Sequence, residues 1–222
     1  MAEANALTIE IPVSKALLPD PGPIRPSRSE VHDIQRGRLL RAMAQVVSEK
    51  GYLGVAVSDV VAKASVSRRT FYEIYDDKEA CFVDLVSFAY SALTKRLETA
   101  SSNHDKAIDL LERVVGIYLE TLSNEPEMAR VILVDAYGAG QNSIAQKVES
   151  AKKFEAAILL LIEKLKSEGE IESEVSPDVE MIVGAIRSLV TMRVAVGETN
   201  KLPELRERIV SFICNSVGMK EN

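Results

Sequence analysis

The stretch SDVVAKASVSRRTFYEIYDDKEACF, residues 58–82, gathers the groups of this chain that could do chemistry. Two adjacent guanidiniums, Arg68 and Arg69, are preceded by the hydroxyl of Ser67 and followed by those of Thr70 and Tyr72. No base stands beside any of these hydroxyls to make it a nucleophile. Their chemistry is that of donors and acceptors. A guanidinium fork matches the O6 and N7 acceptors of guanine, and hydroxyls suit phosphate oxygens, so the set could read and anchor a nucleic-acid duplex. Solvated surface arginines are the competing account.

Those side chains need a short, rigid platform. Helical spacing over Ser67 to about Tyr75 puts Phe71, Ile74 and Tyr75 on one face and leaves Arg68, Arg69, Thr70 and Tyr72 on the other. Ser67 stands where an N-cap belongs. A preceding helix is expected over about Ser58 to Ala64, with Val60 and Val61 inward and Ala64-Ser65-Val66 as a tight connection. Two short helices joined so closely must cross steeply, which is the helix-turn-helix arrangement. An earlier helix runs from about Asp33 to Lys50, with Leu39, Met43, Val46 and Val47 on one face and Gly51 as a left-handed cap. Asp76 and Glu79 have capping-box spacing and open a fourth helix reaching roughly Ala100. Lys78 lies in its first turn, where a cation opposes the helix dipole. A DNA phosphate would explain it; an ordinary surface lysine is the alternative.

The formal charge of −6 argues against a polyanionic partner until its distribution is examined. Residues 24–78 hold ten basic and seven acidic side chains, whereas residues 79–222 hold sixteen and twenty-three. A basic head and an acidic body are implied. Pro12, Pro19, Pro21, Pro23 and Pro26 predict a flexible arm over residues 1–30. Its Arg25 and Arg28 could reach a DNA groove or simply be solvated. The opening MAEANALTIE lacks the basic start of a secretory signal, and no apolar run is long enough for a membrane span, so a cytoplasmic location is expected. Cys81 and Cys214 lie in apolar helical patterns without a neighbouring His, and His32 and His104 are isolated. Reduced core thiols, no metal and no cofactor are the expectation.

At Val60, Ala64, Val66, Ser67, Thr70, Phe71, Tyr72, Tyr75, Lys78 and Glu79 the chain resembles the TetR family of bacterial repressors. With Gly51-Tyr52 and the first helix, the resemblance extends over about residues 33–85. Two positions depart from the pattern: Ser65 stands where the family usually has Gly, and Val55-Ala56 where a Ser or Thr usually caps the second helix and touches phosphate. Ser58 is the candidate to assume that duty. The resemblance implies an all-α chain, with a three-helix DNA-binding head at 31–78 and a helical body at 79–222. It further implies that this body dimerises through its last two long helices and encloses an effector pocket.

Beyond the head, helices are expected near 104–123, 126–137, 142–168, 177–198 and 203–217, with Pro126, Pro177 and Pro203 marking starts. Val179, Ile182, Val183, Ile186, Leu189, Val190 and Val194 cover more than one face of the eighth helix. Leu205, Ile209, Phe212 and Ile213 make a narrower stripe on the ninth. A dimer interface and burial within one subunit both account for these stripes. Phe88, Tyr118, Asp135, Tyr137 and Met181 are the candidate effector contacts, for an apolar or amphipathic small molecule. Asp135 and Arg187, polar exceptions in apolar runs, could pair with each other or across a dimer. The reading that follows is a homodimeric regulator, a repressor in the family's commonest mode, released from a palindromic operator by the effector. Its alternatives are a regulator whose body only dimerises, an all-helical enzyme, for which no catalytic constellation is seen, and a DNA-bending protein.

Overall fold

The computed structural model describes residues 27–100, 106–171 and 178–219. The segment 1–26, with Arg25, and Pro177 lie outside the described residues. Among the described residues there is no strand; the chain folds as helices α1 (Arg28–Lys50), α2 (Val57–Ala64), α3 (Arg68–Ile74), α4 (Lys78–Ala100), α5 (Ala107–Asn124), α6 (Pro126–Leu133), α7 (Gln141–Glu168), α8 (Val179–Ala195) and α9 (Arg206–Ser216).

The first helix begins five residues before the expected Asp33, because Ser27 provides a complete capping box. Its hydroxyl accepts from the Glu30 amide, and the Glu30 carboxylate accepts from the Ser27 amide at 2.7 Å. Arg28 therefore starts a helix instead of extending an arm. Gly51 ends α1 with φ 69° and ψ 153°, a conformation open to glycine rather than the αL cap expected, while its N–H closes on the Val47 carbonyl.

Helices α1, α2 and α3 pack around Leu39, Met43, Val47, Val60 and Phe71, all essentially inaccessible to solvent. Helix α4 carries this core onward through Phe82, Leu85 and Ala89, and at 23 residues is about 35 Å long. Head and body are not separate cores. Helix α1 packs on α6, and one apolar cluster runs from Leu39 to Val217.

In the body, α6 ends at Leu133 and a 3₁₀ turn over Asp135–Gly138 follows, where a single helix to residue 137 was expected. Pro126 occupies the first turn of α6, but Pro203 lies inside a 3₁₀ segment, Thr199–Leu205, that precedes α9. That segment rests against α5 and fixes the angle at which α9 returns to the body.

Three groups tie α3 to α1 and α4. Arg36 donates from Nε and Nη2 to the two carboxylate oxygens of Asp84 at 2.7 and 2.6 Å, and the Tyr75 hydroxyl donates to the same carboxylate at 2.6 Å. Burial, and then the bond to Asp84, push the Tyr75 hydroxyl well above its ordinary value of 10.0. A folded-state value above the unfolded one gives stability that is present below pH 10 and lost as pH rises beyond it. Thermal melts of wild type and Tyr75→Phe should therefore converge above that pH; a gap independent of pH would remove this hydroxyl from the alkaline balance.

Candidate functional site

The head presents α3 by its N-terminal end. The Ser67 hydroxyl accepts from the Thr70 amide at 2.9 Å and lies 2.9 Å from the Thr70 hydroxyl, which closes the first turn. Phe71 is fully buried and Tyr75 nearly so, their rings tilted against one another, while Ile74 packs half-buried on the same core. That leaves Arg68, Arg69 and Tyr72 facing solvent, with Thr70 at the boundary. The Arg69 side chain is 88% exposed and its Nε lies 2.8 Å from the Glu73 carboxylate one turn on. An exposed pair of this kind contributes little, so the guanidinium can be drawn to another acceptor at little cost.

The tight connection takes the unusual backbone that its sequence demands. Ser65 has φ 54° and ψ 44°, the left-handed conformation for which glycine is the common choice, and is the one non-glycine residue with positive φ among the described residues. The Val66 N–H then reaches the Val61 carbonyl, ending α2 in a Schellman-type turn. At the start of α2, Ala56 is the cap residue and has no side-chain acceptor to offer. Asp59 does half of that work, accepting from the Ala56 amide at 2.9 Å and pairing with Lys50 at 2.9 Å. Ser58 is exposed in the first turn rather than at the cap.

One expectation at the head of α4 is corrected. The cap is Asp77, whose carboxylate accepts from the Ala80 amide at 2.8 Å, so the Asp76–Glu79 box does not form; Glu79 instead accepts from Asn142 on α7 at 2.9 Å. Lys78 points into the head. Its ammonium donates to the carbonyls of Val55 at 2.9 Å and Tyr52 at 3.2 Å and sits over the Tyr52 ring, 4.4 Å from its centre. The 3₁₀ turn Tyr52–Gly54 leaves those carbonyls without helical partners, and the cation supplies them.

A cavity of about 90 Å³ lies in the body between α4, α5, α6, α7, α8 and α9. Its apolar wall includes Leu93, Val115, Phe154, Ile158, Val183 and Ile213. Tyr90, Tyr118, Lys147, Ser150 and Arg187 are the polar residues that line it. Lys147, 4% exposed, donates to the carbonyls of Ile132 at 2.8 Å and Leu133 at 3.4 Å, the free end of α6, and lies 3.9 Å from the centre of the Tyr137 ring. Burial and then the neighbouring Arg187 charge pull its ammonium down to about 8. Burial raises both tyrosines, Tyr90 to about 12, and the Arg187 charge opposes the rise in each.

Of the expected effector contacts, Tyr118 lines this cavity, edge to face with Phe154. The other four do not. Phe88 packs on the core outside the lining, and Tyr137 lies behind Lys147, half-exposed at 54%. Asp135 faces the head, close to Gly51, and its partner is Arg130 at 3.5 Å rather than Arg187. Met181 is 70% exposed on the outer face of α8, because its row of α8 turns away from the body. Tyr90, Lys147 and Arg187 as cavity residues, and Arg36 and Asp84 as the seat of α3, were not among the candidates.

Residues 39–85 match the model for bacterial regulatory proteins of the tetR family. Over that head the chain is similar to the TetR family. It is similar to the uncharacterized HTH-type transcriptional regulator YxbF of Bacillus subtilis, 32% identical over 92 residues, which cover 41% of this chain and 24% of that one. The matches span less than half the length of the first curated relatives. The chain shares its fold with fatty acid degradation regulator FadR of Bacillus halodurans, at 18% identity and a TM-score of 0.74 over 84% of this chain and 97% of that one. FadR of Bacillus subtilis, in complex with stearoyl-CoA, superposes with a TM-score of 0.71 at 20% identity over 82% of this chain and 98% of that one.

In this chain the head rests directly on the cavity's polar end. The turn Asp135–Gly138, which follows the carbonyls held by Lys147, packs on the turn Tyr52–Gly54 held by Lys78. Beside it Gly140, at φ 98°, comes so near Glu79 that a Cβ would meet its carboxylate oxygen at 3.0 Å. No helix of the described residues is long and apolar enough to cross a membrane, and no group of three or more metal-ligating side chains occurs among them.

Proposed function

We propose that the chain is a cytoplasmic transcriptional regulator, a repressor that binds a palindromic operator as a homodimer and answers to a small molecule in the body cavity. The observation that carries this reading is α3 itself: Phe71 and Tyr75 locked inward, and Arg68, Arg69 and Tyr72 displayed on one exposed side. On this reading Arg68 and Arg69 address base edges, Ser67, Thr70, Tyr72 and Ser58 address phosphates, and Lys78 acts by holding the α2 turn in place. No catalytic role is assigned.

Two-fold pairing is supported by α8 and α9. Met181, Met192 and Val196 on α8 are 70%, 61% and 65% exposed, and Phe212 on α9 is 42% exposed. Large apolar side chains clustered on an outer face mark a surface that another protein covers. The effector role is supported by the cavity, by its contact through Asp135–Gly138 with the head, and by the stearoyl-CoA complex of a similarly folded protein. A ligand that favours one body conformation would shift the head's seat by that difference in affinity.

Selection of bound fragments from random DNA tests the reading. The recovered sites should be inverted repeats with half-site centres about one helical turn, ~34 Å, apart. Enrichment of unrelated or asymmetric sequences, or none, would overturn it. A regulator without an effector would give the same repeats and show no ligand response.

A further inference from the structure

We propose that the body cavity recognises an amphipathic anion, its charged head held between Lys147 and Arg187 and its hydrocarbon tail lying along Phe154, Ile158 and Val183. The proposal rests on the sensor reading above and specifies its ligand.

Two cations line one largely apolar cavity, and no carboxylate is among the residues that line it. Like charges in such surroundings are costly unless an opposite charge joins them. Lys147 is almost completely buried, and the two carbonyls it meets are neutral. Arg187 makes no ion pair among the described residues, while its charge acts on Lys147, Tyr90 and Tyr118 together. A single anion placed among these four groups would face two cations and two phenolic donors, with the Ser150 hydroxyl on the same wall. Both phenols are protonated near neutral pH and can donate; the Tyr90 hydroxyl, which lies 3.4 Å from the Ile132 carbonyl it donates to, would turn from that long bond to the anion. The remaining wall is aliphatic and aromatic, the complement of an alkyl chain. A cavity of about 90 Å³ favours a short or medium-length chain over a stearoyl chain.

Isothermal titration of the full-length protein with octanoate, octyl phosphate, octanamide and octylamine separates the possibilities, and the two anions distinguish a carboxylate head from a phosphate head. At least one anion should bind about tenfold or more tighter than octanamide, and octylamine should not bind. Lys147→Met and Arg187→Gln should each lose about ten- to a hundredfold for that anion, the range of a charge-assisted hydrogen bond. Circular dichroism melts establish that each variant is folded; Lys147→Arg, which keeps the charge, should retain more affinity than Lys147→Met. Equal binding of octanamide, undiminished anion binding in both variants, or no binding of either anion would each overturn the proposal. Because the titration contains no DNA, its failure leaves the operator reading standing, and a failed DNA selection leaves the titration interpretable.

Discussion

Arg69→Ala is expected to weaken operator binding by about 2–6 kcal/mol, because a good bidentate base contact contributes roughly 1–3 kcal/mol and a two-fold dimer loses it twice. That corresponds to a loss of about thirtyfold at the least. The variant should remain folded. Arg69 is 88% exposed and pairs with Glu73, an exposed partner whose loss costs the helix little. Tyr72→Phe removes one phosphate-suited hydroxyl per subunit and should cost less, with a smaller change in salt slope than a lysine or arginine contact would give. Electrophoretic mobility shifts at several salt concentrations, beside thermal melts, check both. Unchanged affinity in the two variants would mean that the outward face of α3 is not what meets DNA.

That face was legible because periodicity and capping act locally. Phe71, Ile74 and Tyr75 recur at helical spacing, and Ser67 precedes them where a cap belongs, so the direction of Arg68 and Arg69 follows from arithmetic. The Ser65 turn was legible for the same reason: a chain that must reverse within two residues needs a positive φ, whichever residue supplies it. Lys78 was not. Its position in a first helical turn points to an anion, and the actual partners, the Tyr52 and Val55 carbonyls, lie 26 and 23 residues earlier in the chain. Such a partner is set by how α4 docks on the head, which sequence spacing does not encode.

The cavity failed to emerge for a related reason. The rule that picks aromatic, flexible or polar residues inside apolar helices admits Met181 but not Lys147, in the polar run AQKVES. A usable signal existed on α7: the stripe Ile158, Phe154, Ser150, Lys147, Ser143, followed toward the N-terminus at intervals of three and four, stays on one face while its chemistry changes from apolar to polar. Ser143, Lys147 and Ser150 are all buried along it. A lysine that continues a buried stripe has been placed there at a cost, and the cost marks a site. Arg187 was half-legible, visible as an exception within MIVGAIRSLV, but it was matched with the wrong partner because Asp135 turns toward Arg130 and the head.

Asp84→Ala should destabilise the fold by about 3 kcal/mol, since removing one member of a partly buried ion pair strands the other and also deprives a buried hydroxyl of its acceptor. Asp84 accepts both guanidinium bonds of Arg36 and the Tyr75 hydroxyl, with side-chain exposures of 26% for Asp84 and 37% for Arg36. That residual contact with water places the cost at the lower end of what breaking a fully buried pair costs, roughly 3–5 kcal/mol. Chemical denaturation of Asp84→Leu, Arg36→Met and the double variant separates charge from packing. The double variant should recover much of the loss of Asp84→Leu, because no unpaired charge is left; additive losses would mean that the pair contributes nothing beyond its two separate side chains. The consequence for function is directional. Tyr75 caps the C-terminal end of α3, so Asp84→Ala should loosen the recognition face and weaken operator binding beyond what partial unfolding explains. Octanoate binding in the body should stay within about twofold, a change of roughly 0.4 kcal/mol, because Asp84, Arg36 and Tyr75 do not line the cavity. Parallel loss of both activities would show instead that this carboxylate supports the whole molecule through the continuous core that joins α1, α4 and α6.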